Sequence, residues 1–222
     1  IEEYTFAYCT GLTSIDIPDN VTEIMSSAFH SCSSLTSIDI PNSVTTIGSS
    51  AFYKCSSLER VTIGKGIEDF ESTAFRLCNN LKKVELDCAK VGSWFNTLSS
   101  IQEVVLGSNV QEISRRAFYN TKNTGLTSVT SLIPAETLFK VTDLVKDYSI
   151  CTLYVQTGTK EAYAATDGWN NFANIVEMDL TGIDEVNDEE KEEVEIYDLS
   201  GRKIHTPSKG IYIINGKKKL IQ

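Results

Sequence analysis

The chain has little of what most catalytic and metal sites are built from. Its 222 residues include two histidines, His30 and His205, two methionines, two tryptophans and four prolines. Two distant histidines leave little room for paired-histidine acid–base or metal chemistry. No run of about 18 apolar residues occurs, so no segment reads as membrane-spanning. Positive charge is also short: 20 Lys and Arg stand against 30 Asp and Glu, for a formal net charge of −10. Such a surface repels phosphate, which argues against nucleic acid or an anionic membrane as partner. What is present is ordinary for a soluble folded chain: 41% apolar and 23% charged residues, too apolar for general disorder.

The strongest positive signal is repetition. Phe6, Phe29, Phe52 and Phe75 are each 23 residues apart. Cys9, Cys32, Cys55 and Cys78 keep the same step, as do Leu12, Leu35, Leu58 and Leu81. Later turns vary: Ile101 follows Leu81 by 20 residues and Leu126 follows Ile101 by 25. The two extra residues fall in Thr121–Gly125. Solenoid loops tolerate such changes where stacked strands do not.

Within one unit, Leu35 to Ile40 alternates late in its span, as a strand with one buried face does. Pro41-Asn42 ends it. Val44 and Ile47 form a second apolar pair, and Ala51-Phe52 with Cys55 turns back toward the next leucine. A unit of about 23 residues is too short for an ordinary helix plus a strand and two turns. The expectation is a mostly β solenoid with turns or a short 3₁₀ segment on its outer side. One unit cannot bury its own apolar residues, but stacked units share continuous apolar columns.

These residues resemble the BspA-type leucine-rich repeats, with L-x-x-I-x-I-P followed by V-x-x-I-G-x-x-A-F-x-x-C. The match runs through Leu35 to Ile40, Pro41, Val44, Ile47, Gly48, Ala51, Phe52 and Cys55. It extends over about residues 1–180 and implies a right-handed superhelix. The turn holding Trp94-Phe95 departs from the pattern, lacking its Pro, Ala-Phe and Cys. Residues 152–180 read as the C-terminal cap: a strand at Thr152 to Val155, a short helix with Thr159 as N-cap, then Trp169 and Phe172 over the last core layer. At the other end, Ile1–Phe6 aligns with Ile47–Phe52, so the sequence opens inside a unit. No segment of the sequence as given reads as a signal peptide. Further N-terminal units and a removed export signal are the expectation.

Composition shifts after the cap. Residues 181–193 read as a solvated acidic linker, with Asp184 to Glu193 its acidic run. Residues 194–222 read as a small β module, with Gly210 to Ile221 a hairpin turning at Asn215-Gly216. The string Tyr197-Asp-Leu-Ser-Gly-Arg202, then Gly210-Ile-Tyr-Ile, is similar to type IX secretion sorting domains. That resemblance implies a bacterial protein, exported and held at or released from the outer surface. The alternative is a β-hairpin module without a sorting role.

Few groups suggest chemistry. Six cysteines in an exported chain invite disulfides, but four share one column, where parallel side chains disfavour the bridge dihedral. Buried free thiols, packing as small hydrophobes, are expected there. Cys88 and Cys151 fall outside the column with their pairing open. His30 heads a column continued by Tyr53, Arg76 and Tyr119, expected on the convex surface. Gly64 and Gly66 form G-x-G without the strand-to-helix context of a phosphate loop.

The concave strand face remains. The candidate ligand-binding residues there are Asp16, Asp39, Glu59, Arg60, Thr62, Lys82, Lys83, Glu85 and Glu103. Large aromatic anchors are missing from the residues read as facing it. Aligned rungs suit an extended partner. The resemblance implies adhesion: a surface protein binding a protein partner, host matrix or another cell. A non-catalytic spacer or stalk is the alternative. A glycan-active enzyme using Asp16 and Asp39 on adjacent strands is a third reading, disfavoured by an open face that cannot exclude water. No cofactor, metal or catalytic residue is assigned.

Overall fold

A computed structural model describes residues 1–119 and 125–180 in full. Of residues 181–222 it describes only the backbone strands given below. The chain divides into two compact units, Ile1–Val186 and Asn187–Gln222.

The first unit is a parallel β solenoid. Its strands are β1 (Glu23–Ile24), β2 (Ser37–Ile40), β3 (Thr46–Ile47), β4 (Arg60–Ile63), β5 (Asp69–Phe70), β6 (Lys83–Leu86), β7 (Lys90–Val91), β8 (Glu103–Leu106), β9 (Glu112–Ile113), β10 (Ser128–Ser131), β11 (Thr152–Gln156) and β12 (Asn174–Met178). One helix, α1 (Lys160–Ala165), and two 3₁₀ turns accompany them. The long strands form a seven-stranded sheet in the order β12-β11-β10-β8-β6-β4-β2. Register is strict: Ile38, Val61, Val84, Val104, Val129, Leu153 and Ile175 stand side by side. The short strands pair as β1-β3-β5 and β7-β9. These come from the second apolar pair of each unit, as Thr46–Ile47 shows.

Alternation decides the core. In Ser37–Ile40 the isoleucines are buried while Asp39 is exposed, the period of a pleated strand. The phenylalanine column stacks between coils. Ring centroids are 5.1 Å apart for Phe6–Phe29 and Phe29–Phe52, and 4.8 Å for Phe52–Phe75, with interplanar angles of 12° or less. Phe29 and Phe52 are fully buried. The departing turn keeps the column, because Phe95 lies 5.5 Å from Phe75. Leu98 occupies the cysteine place: its N–H donates to the Phe95 carbonyl, as that of Cys78 does to Phe75.

The thiols serve the stack. Cys32, Cys55 and Cys78 are buried, and each Sγ donates to the phenylalanine carbonyl of the preceding coil, Phe6, Phe29 and Phe52, at 3.1–3.2 Å. All six cysteines are free thiols, and Cys9 is exposed. Two further columns adopt the left-handed region without glycine: Tyr4, Ser27 and Ser50, then Tyr8, Ser31, Lys54 and Leu77. That geometry aims N–H groups along the stack, where Ser27 donates to the Ser49 carbonyl and Ser31 to that of Tyr53.

Two expectations are corrected. The segment bearing Asp16 forms no strand; β2 is the edge of the long sheet. Thr36 bonds back to that segment, its N–H donating to the Thr13 carbonyl at 3.2 Å. Thr159 precedes α1 but makes no side-chain cap. Its hydroxyl donates to the Gln156 carbonyl instead. The Glu177 carboxylate accepts from Gly158 and Lys160 N–H, both at 2.9 Å, so an acid from β12 satisfies the helix start.

The end of the array is closed by aromatic side chains. Trp169 and Tyr163 are fully buried and meet edge to face at 5.3 Å. Trp169 Nε1 donates to the Phe139 carbonyl at 2.9 Å. Tyr163 Oη bonds Ser131 Oγ at 2.7 Å and the Ile133 carbonyl at 2.8 Å. Burial pushes the Tyr163 phenol up to about 12.

The second unit contains β13 (Ile196–Tyr197), β14 (Gly210–Ile214) and β15 (Lys217–Ile221), an antiparallel sheet in that order. The acidic run, the Asn215-Gly216 turn and Thr121–Thr124 lie outside the described residues.

Candidate functional site

The solvent side of the seven-stranded sheet carries three registered columns of side chains. One runs Ser37, Arg60, Lys83, Glu103, Ser128, Thr152, Asn174. A second runs Asp39, Thr62, Glu85, Val105, Thr130, Tyr154, Val176. The third lies just before the strands and includes Glu59 and Lys82, whose N–H and carbonyl groups link successive coils.

The structure brings six of the nine candidate residues together as ion pairs. Arg60 reaches Asp39 at 3.1 Å, Lys82 reaches Glu59 at 3.1 Å, and Lys83 reaches Glu85 at 3.0 Å. The first two pairs stitch neighbouring coils. Their side chains are about half exposed, 43% and 64% for Arg60 and Asp39. Such pairs contribute about 0–1 kcal/mol each. Thr62 is 7% exposed and accepts from Arg60 Nη1 at 3.4 Å, so it is covered by that arginine. Asp16 is exposed on the first segment, which forms no strand, so it does not stand on a strand adjacent to that of Asp39. Glu103 is exposed and has no ion pair among the described residues.

One residue was missed by the sequence reading. Tyr154 lies on the sheet face, registered between Thr130 and Val176. The signal was available in the alternation Thr152-Leu-Tyr-Val-Gln156, where Leu153 and Val155 point inward. Assigning that strand to the cap obscured its continuity with the face. The absence of an aromatic anchor is therefore corrected.

On the opposite turns, His30 stacks between Tyr8 and Tyr53, with centroids 5.2 and 5.0 Å away. Its Nδ1 contacts Ser31 Oγ at 3.0 Å. Cys32 is held away from thiolate chemistry: burial, then the neighbouring thiols, raise it to about 11. Among the described residues, no group of three or more His, Cys, Asp or Glu side chains could hold a metal ion. The Gly64 and Gly66 signal is structural, because a Cβ at Gly66 would collide with the Asn42 carbonyl of the preceding coil.

The geometry agrees with the family comparison, where the BspA type leucine rich repeat region matches residues 1–125 in six copies. The chain belongs to this family. It is similar to a solved leucine-rich repeat protein from Bacteroides ovatus ATCC 8483, 27% identical, with a TM-score of 0.51 over 80% of this chain and 40% of that one. It is also similar to the T. pallidum leucine rich repeat protein, 25% identical, TM-score 0.40, over 64% of this chain and 71% of that one. A leucine rich cell surface protein from Faecalibacterium prausnitzii A2-165 is 20% identical, TM-score 0.39, over 75% of this chain and 61% of that one. No curated protein matches the chain. The chain spans well under half the length of the Bacteroides ovatus protein. Among the described residues, no helix is long and apolar enough to cross a membrane.

Proposed function

We propose that this BspA-type array is a non-catalytic, exported surface module that binds another protein through the solvent face of its seven-stranded sheet, in an adhesive role. One observation carries the reading: seven strands present registered side chains on a single face. Such a face suits an extended partner, and repeat proteins of this kind use it. Asp39, Glu59, Arg60, Thr62, Lys82, Lys83, Glu85 and Glu103 lie on it, with Asp16 at its margin. Residues 1–180 are the binding array, 181–193 the linker and 194–222 a sorting tail. The tail proposal is supported by Tyr197-Asp-Leu-Ser-Gly-Arg202 and Gly210-Ile-Tyr212.

A spacer role is favoured by the internal pairing of Asp39–Arg60, Glu59–Lys82 and Lys83–Glu85, which leaves those charges already compensated. The two readings separate in a binding assay with immobilised extracellular-matrix proteins and intact cells. A surface adhesin retains at least one, and alanine variants across the sheet face weaken it; a spacer retains none. Deleting residues 194–222 should abolish surface display in an organism with type IX export, and unchanged display would remove the sorting proposal.

A further inference from the structure

The sheet face is not uniform along the stack. Its N-terminal half, from β2 to β6, carries the three ion pairs, which satisfy Asp39, Glu59, Arg60, Lys82, Lys83 and Glu85 among themselves. From β8 onward the face changes character. Val105, Thr130, Tyr154 and Val176 form one registered, half-buried row, about 14 Å long at the sheet spacing. Beside it run Ser128, Thr152 and Asn174, with Asn174 Nδ2 donating to Thr152 Oγ1 at 3.1 Å. Where the two halves meet stands Glu103, two residues before Val105 on the same strand and the same side. Lys83 is its neighbour in register, but Lys83 Nζ lies 3.0 Å from Glu85. The trio therefore keeps one acid in excess.

We infer that the recognition centre of this face is the neutral row around Tyr154, and that its occupant is an extended cationic peptide segment. This rests on the sheet-face reading above. Three arguments converge. Exposed ion pairs add little affinity, because both partners already have a counter-charge and must lose it to bind elsewhere. Tyrosine buries a large rigid surface at small entropic cost and is the residue type on which binding energy concentrates. The uncompensated Glu103, in a chain of net charge −10, selects a Lys or Arg at one end of the row. Glu103 and Tyr154 are about 7 Å apart along the strands and two strand spacings apart across them, or about 12 Å in all. Extended chain rises about 3.3 Å per residue. The segment therefore places its cation and its apolar or aromatic anchor about four residues apart.

The test titrates the isotope-labelled full chain with three nonapeptides in a Ser/Thr background. One carries Lys and Leu four apart, one Glu and Leu, and one Lys alone. Only the first should shift the amides of Val105, Thr130, Tyr154 and Val176. Y154A should weaken it at least tenfold while Y154F retains most binding, and E103Q should weaken it about threefold to tenfold and flatten its salt dependence. R76A, in an exposed turn outside the sheet, should leave it unchanged. Matching thermal melts for all variants exclude misfolding as the cause. Shifts mapping to Arg60 and Lys82 would overturn the centre while leaving sheet-face binding intact. Equal binding of the Glu and Lys peptides would overturn the cationic occupant. Absence of shifts with all three peptides would overturn the inference, and the matrix-protein assay then judges the broader reading independently.

Discussion

Single side chains in this protein answer to the coil above and below more than to their sequence neighbours. Phe52 sits between Phe29 and Phe75, with both ring faces covered. Phe52→Ala should cost about 3–5 kcal/mol by losing packing and opening a cavity. Phe6→Ala should cost clearly less, because Phe6 is only partly buried and stacks on one side. Urea unfolding of the two variants checks the ranking. Lys54 is exposed and left-handed at φ 59°. Glycine accepts that backbone without strain, whereas a β-branched residue there is a genuine outlier. Lys54→Val should destabilise, because a β-branched side chain tolerates that backbone less well than lysine, and Lys54→Gly should be neutral or stabilising, read from the same melts.

At the scale of the element, the repeated turn joins the thiol column to the carbonyl of the preceding coil. Burial raises Cys32 to about 11 and Cys88 and Cys151 to about 12, all from 9.0. Each folded-state value lies above the unfolded one. The neutral thiol's contribution is complete below pH 9 and is lost as pH rises through the folded values. Melting temperature should thus fall between about pH 9 and 12, and the fall should shrink in a Cys88→Ala, Cys151→Ala variant relative to its own neutral-pH melt. The same burial predicts thiol accessibility. Cys9 should react promptly with a disulfide reagent in the native chain, and the other five only on unfolding; prompt release of more than one equivalent contradicts the stack. The cap is the other decisive element. Trp169→Ala removes the fully buried indole from the last layer and should cost about 3–5 kcal/mol.

The whole array behaves as a line of nearest neighbours, in which each coil is stabilised chiefly by the two beside it. This is why the 20- and 25-residue units do not break the fold: Leu86, Leu106 and Ser131 remain paired in register. It is also why the sheet-face ion pairs have little leverage on stability. Charge-neutralising variants at Arg60 and Lys82 should shift unfolding by less than about 1 kcal/mol each, measured at low and moderate salt.

The period of 23 made the solenoid, the inward isoleucines and the phenylalanine stack legible from the residues alone, because burial in a stacked coil depends on position within the unit and repeats with it. The cap aromatics were legible too, since an open apolar end requires cover. The candidate site was legible only as a face. Which charges pair across coils, how Arg60 covers Thr62, and how Tyr154 joins the row begun by Val105 depend on the register between strands up to about 50 residues apart. The first segment carrying Asp16 repeats the pattern of β2 but forms no strand, because pattern alone does not supply strand pairing. Sequence by itself determined the repeating core, since hydrophobic periodicity acts within each coil. Tertiary structure alone decided the chemistry of the surface, since that is set by what one coil places beside the next.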